Sequence, residues 1–129
     1  MKRVLVAVCA LALVLVAAAA FAGMGALDGK TFSIKMKDPT GKEDPDDIVF
    51  ANGTFDSIAC HEYGSGSGPY TTEMKGTNVM FKTTTMSDKA GTFDWTGTVH
   101  PDGKIDGTAT MKGKDGKTTV YTIMGTVKK

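Results

Sequence analysis

Leucine is almost missing from this chain once its first 22 residues are set aside: Leu27 is the only one in 107 positions. A helical domain of that length would hardly avoid the best apolar helix former, whereas the abundant Thr, Val, Ile and aromatic residues suit strands. Cysteine is scarce as well. Cys9 lies in the apolar N-terminal run, leaving Cys60 as the single thiol of the remainder. An intrachain disulfide is thereby excluded there, and stability has to come from burial. Only two histidines occur, His61 and His100, so a histidine-rich metal centre is excluded. No excess of positive charge exists either. Without Lys2 and Arg3, 13 lysines face 14 carboxylates, which points to neither nucleic acid nor an anionic membrane surface as partner.

What is present begins with an export signature. Lys2-Arg3 precede an uncharged apolar run from Val4 to Ala20, and Ala20-Phe21-Ala22 places small residues where signal peptidase needs them. Residues 1–22 therefore read as a secretory signal peptide, a helix in its apolar part, and 23–129 as one domain in the periplasm or outside the cell. The apolar run is nearly long enough to cross a bilayer, so an uncleaved anchor is the competing reading. After cleavage the chain would have no membrane-spanning segment.

Three C-terminal segments alternate strictly: Phe93-Asp94-Trp95-Thr96-Gly97-Thr98-Val99, Ile105-Asp106-Gly107-Thr108-Ala109-Thr110-Met111 and Tyr121-Thr122-Ile123-Met124-Gly125-Thr126-Val127. Period two predicts strands with one dry and one wet face, the odd-numbered residues turning inward. Further strands are predicted at Thr31–Lys37, from Ile48, over Thr54–Cys60, and at Tyr70–Lys75 and Val79–Thr85. Asn52-Gly53, Gly76-Thr77-Asn78, Pro101-Asp102-Gly103 and Lys114-Asp115-Gly116 supply tight turns. Asp38–Asp47, with two prolines, and the glycine-rich His61–Pro69 read as loops.

The expected fold is all-β: an antiparallel up-and-down barrel of about eight strands. Gly97, Gly107 and Gly125 on the packed face favour a barrel over a sandwich, because barrel strands must coil sharply. They also leave space for Trp95 or Tyr121 from a neighbouring strand. Phe32, Ile34, Met36, Ile48, Phe50, Phe55, Tyr70, Met74, Val79 and Phe81 join the inward set. An eight-stranded lumen is near the size that side chains alone can fill. Either the core is complete, or a modest pocket remains at one mouth, with Tyr70, Phe81, Trp95 and Tyr121 as the candidate ligand-binding residues.

Chemistry-bearing constellations are weak. Cys60, His61 and His100 could suit a soft metal such as copper if the turn after Cys60 brings them together, although their spacing matches no strong metal motif. Asp44, Asp46 and Asp47, or Asp102 and Asp106, lack the ordered spacing of a calcium loop. Gly64–Gly68 is followed by Pro69 and by no Lys-Ser/Thr pair, so it is no phosphate cradle. No nucleophile–base pair is indicated and no cofactor is implied, so the chain is expected not to be an enzyme. Met80, Val120 and Met124 fall on the wet face, where a small apolar patch would suit a partner.

Phe50-x-x-Gly53-x-Phe55-x-Ser57-x-x-Cys60-x-x-Tyr63-Gly64, Pro69-Tyr70-Thr71 and Phe81-x-x-x-Thr85-x-Ser87-x-x-Gly91-x-x-x-Trp95-x-Gly97-x-Val99 resemble small exported bacterial β-barrel proteins without an assigned activity. Leu27-Asp28-Gly29-Lys30 and the glycine-punctuated meander are more loosely similar to lipocalin-like barrels and to the META domains of envelope lipoproteins. The resemblance implies a barrel and carries over no catalytic or binding residues. A second cysteine and an acylated N-terminus, both found in the META group, are missing. The resulting expectation is an exported, non-enzymatic barrel binding a small apolar ligand or an envelope component. The alternatives are a filled structural or protein-interaction module of the envelope, and a metal- or redox-linked role through Cys60.

Overall fold

A computed structural model describes residues 25–129; the predicted signal segment, residues 1–22, lies outside the described residues. Eight strands follow one another: β1 (Thr31–Lys37), β2 (Glu43–Ala51), β3 (Thr54–Ser57), β4 (Gly68–Lys75), β5 (Asn78–Ser87), β6 (Gly91–Val99), β7 (Lys104–Lys112) and β8 (Thr118–Val127). Each pairs antiparallel with the next, and β8 pairs with β1, so the sheet closes into a barrel. Among the described residues, no helix is long and apolar enough to cross a membrane.

The alternation behaves as the sequence predicts. Phe93, Trp95, Val99, Ile105, Ala109 and Ile123 are buried, and Met111, Tyr121 and Val127 pack against the same core. Phe50 sits at the centre of an aromatic cluster, with ring centroids 4.9 Å from Tyr70, 5.1 Å from Phe81 and 5.3 Å from Phe55. The inward glycines allow close approach. A Cβ on Gly97 would lie 2.6 Å from the Phe81 ring, so the ring that fills this space is Phe81, not Trp95 or Tyr121. Asn52 and Gly53 take φ of 53° and 75°, the left-handed pair that a two-residue hairpin turn needs.

Three local expectations are corrected. Asp38–Asp47 is not all loop, because β2 begins at Glu43 and includes Pro45 opposite Lys35. Proline is tolerated there because β3 pairs only with Ile48–Ala51, leaving this stretch of β2 an open edge. The strand expected over Thr54–Cys60 stops at Ser57 and becomes a 3₁₀ helix, Ala59–Tyr63, closed by Gly64 in the left-handed region. The segment after it is held to β5 by a Ser65–Ser87 bridge and a Gly66 N–H to Met86 carbonyl bond of 3.2 Å. Met74 has inward parity but is 62 % exposed, because it lies beside the Gly76-Thr77 turn, where β4 and β5 run past the end of the core.

The two barrel ends differ. At one, Leu27 enters the core as a plug, and the Tyr70 hydroxyl accepts the Leu27 N–H (3.1 Å) while donating to Asp28 Oδ1 (2.7 Å). Asp28 also accepts the Gly53 N–H at 3.0 Å, tying the plug to the β2–β3 turn. At the other end β3 is too short to cover β2, and the 3₁₀ helix occupies the resulting gap.

Candidate functional site

Above the 3₁₀ helix end the barrel holds an open pocket of about 540 Å³. Its floor is the inward edge of the core: Met36 from β1, Phe93 from β6, Met111 from β7 and Tyr121 from β8. These are the last large inward side chains of their strands, so they pack on the core below and only small residues such as Thr119 and Gly91 lie beyond them. One wall is the 3₁₀ helix with Ala59, Cys60, Glu62 and Tyr63, another is Lys42, Asp44 and Pro45, and Ala90 closes the β5–β6 side.

A buried polar anchor holds that helix in place. Asp46 lies on the inward face of β2, only 5 % exposed. Its carboxylate accepts the Ser57 hydroxyl and, at 2.8 Å, the Ala59 N–H at the start of the helix. A charged group out of water needs such partners. Burial pushes the Asp46 carboxyl above its ordinary value, against hydrogen bonds from Ser57, Ala59 and the Asp47 backbone that favour the charged form. The folded protein therefore holds this proton more tightly than the unfolded chain does. The associated stability is fully present below the unfolded carboxylate value and declines as pH rises through the higher folded value. Asp46→Asn keeps an acceptor for Ala59 and removes the charge. Its urea stability should match wild type in acid and exceed it at neutral pH, whereas Asp46→Ala should lose about 1–3 kcal/mol at both. Parallel stability–pH curves for wild type and Asp46→Asn would contradict this.

Cys60 lines the pocket but is a poor nucleophile. Burial raises its thiol pKa, as do the nearby acids Asp46, Asp56 and Glu62, against a hydrogen bond with Ser57. It stays a thiol, and the thiolate is what attacks or binds metal. His61 and His100 are not brought to it together. His61 Nε2 pairs with Asp56 at 2.7 Å beside the pocket, while His100 pairs with Asp106 at 2.7 Å at the opposite, plugged end. Among the described residues no three His, Cys, Asp or Glu side chains are grouped to hold a metal ion.

Of the four aromatic candidates, only Tyr121 reaches the pocket. Tyr70, Phe81 and Trp95 are fully buried in the core. The Trp95 indole N–H donates to Thr85 Oγ1 at 3.1 Å, and its ring is packed between Phe55 and Phe93. Among the described residues no buried side-chain nitrogen or oxygen is left without a partner, as a finished core requires. Sequence reasoning weighed Asp44 and Asp46 only as calcium ligands and set them aside, and it missed Lys42, Glu62 and Ala90. Asp46 had a signal, since it shares parity with Ile48 and Phe50. Met80, Val120 and Met124 do face outward, but they form no patch. Val120 and Met124 are separated by Thr122, and Met80 lies across the sheet on β5 beside Thr98.

Comparison with known proteins finds no matching family model, and neither the curated proteins nor the solved structures contain a match to the chain.

Proposed function

We propose that this barrel is a non-catalytic binding protein that takes a small, mainly apolar molecule at its open mouth and not in its lumen. The supporting observation is the pocket itself. Its volume falls within the roughly 300–1,000 Å³ typical of small-molecule sites. Its floor is built from Met36, Met111 and Tyr121, which the core leaves half covered, and from the buried Phe93. Methionine and tyrosine accept varied shapes at little ordering cost. The basic, apolar and small-residue order of residues 1–22 supports a place outside the cytoplasm, where such a protein would carry or sequester a ligand or bind an envelope component.

Native mass spectrometry of protein purified from its own host tests the reading. A retained apolar molecule is expected, and it should be lost in Ala90→Trp, whose indole fills the mouth. Because Ala90 lies in the β5–β6 turn, that variant should keep its stability within about 1 kcal/mol while its affinity falls more than about tenfold. Ligand retention unchanged in Ala90→Trp would move the site elsewhere. The close ring packing around Trp95 favours a second reading, a structural or interaction module of the envelope. That reading gains if neither native preparations nor apolar probes show any occupant.

A further inference from the structure

We propose that the mouth pocket selects a cationic amphiphile: an alkyl or aryl body on Met36, Phe93, Met111 and Tyr121, with its ammonium group between Asp44 and Glu62. This deepens the binding function proposed above and rests on it.

The charge pattern of the lining carries the inference. Two carboxylates, Asp44 and Glu62, face one ammonium, Lys42. Neither carboxylate has an ion-pair partner among the described residues, whose ion pairs join other acids. Residues 25–129 contain no arginine, the side chain that grips a carboxylate or phosphate through paired donors. An anionic amphiphile such as a fatty acid would thus meet two like charges and a single flexible lysine. The negative field also reaches the apolar floor. The Tyr121 phenol is pushed up first by burial and then by the carboxylates of Asp38 and Asp44. At the rim, Tyr63 is pushed up first by its hydroxyl's hydrogen bond to Glu62, then by that carboxylate's charge, by burial and by Asp44. Three aromatic rings, Tyr63, Phe93 and Tyr121, border the same space, and their faces attract an ammonium or quaternary ammonium group. Apolar floor, aromatic sides and an acidic rim without ion-pair partners together complement one chemical class. Lys89, Lys114 and Lys117 belong to neighbouring turns and do not line the pocket.

The test uses three probes with one tail and different heads: octyltrimethylammonium, n-octanol and octanoate, titrated calorimetrically against the whole protein at low salt. The ammonium probe should bind about tenfold more tightly than octanoate, with octanol between them, and the gap should narrow as salt is added. In the double variant Asp44→Asn, Glu62→Gln the ammonium and octanol affinities should converge, while octanol itself shifts by less than about twofold. Both substitutions are at exposed rim positions and keep hydrogen-bonding groups, so the fold should persist. Equal wild-type affinities for ammonium and octanol, or tighter octanoate, would overturn the charge selection and leave the pocket reading standing. No binding by any probe would overturn both.

Discussion

Gly125→Ala is expected to cost the barrel about 3 kcal/mol or more, the upper end of what overpacking does. A Cβ at this position would lie 2.7 Å from Ile34 Cα and closer still to the Ser33 carbonyl oxygen. Both obstacles are backbone atoms of β1, the strand that closes the barrel against β8. A side chain can turn aside from an added methyl group, but the backbone of a paired strand moves only by opening the ladder. The closure should therefore loosen along its length, seen as a lower urea midpoint and as lost hydrogen-exchange protection in β1 and β8. Gly107→Ala should behave alike, since its Cβ would lie 2.6 Å from Gly97 Cα on β6. Gly66→Ala is the control: nothing lies within 4 Å of that Cβ, so the change should stay within about 0.5 kcal/mol. A Gly125→Ala midpoint equal to that of Gly66→Ala would show that the strands are not this close.

Trp95→Ala should remove about 3–5 kcal/mol by emptying the centre of the core. Trp95 is 0 % exposed, lies 4.9 Å from the Phe55 ring and 6.0 Å from Phe93, and satisfies Thr85 through its indole N–H. Total stabilities of small domains are about 5–15 kcal/mol, so the variant should be marginal at room temperature. Cold conditions or a stabilising salt should keep enough of it folded to separate core from site. Folded Trp95→Ala should bind n-octanol at the mouth within a few-fold of wild type, because the indole does not line the pocket. If affinity disappeared while the near-ultraviolet dichroism of the remaining aromatics was kept, the lumen would be the binding place after all.

These two residues also mark how far the sequence could be read. Strict alternation from Phe93 to Val127 is a local property of extended backbone, and it placed Trp95, Ile105 and Ile123 inside without any knowledge of partners. Asn52-Gly53 likewise announced its turn, because few other dipeptides adopt two left-handed residues in succession. The same logic failed where a neighbour decided. Pro45 looked like a loop residue, yet it lies in a strand because β3 leaves that edge free. Cys60 looked like the end of a strand, yet it lies in a 3₁₀ helix anchored through Ala59 to Asp46, 13 residues earlier in the chain. Tyr70, Phe81 and Trp95 carried the composition of a binding site and turned out to be the interior. Inward parity says which side of the sheet a residue faces but not how far along the barrel axis it lies.

The all-β class, the number of strands and their inner faces belong to the sequence alone, because each follows from composition or from periods spanning a few residues. The open mouth belongs to the tertiary structure. Met36, Cys60, Phe93, Met111 and Tyr121 come together there only because a four-residue β3 stops short of its neighbours, and strand ends are set by long-range register and closure, which no local pattern encodes.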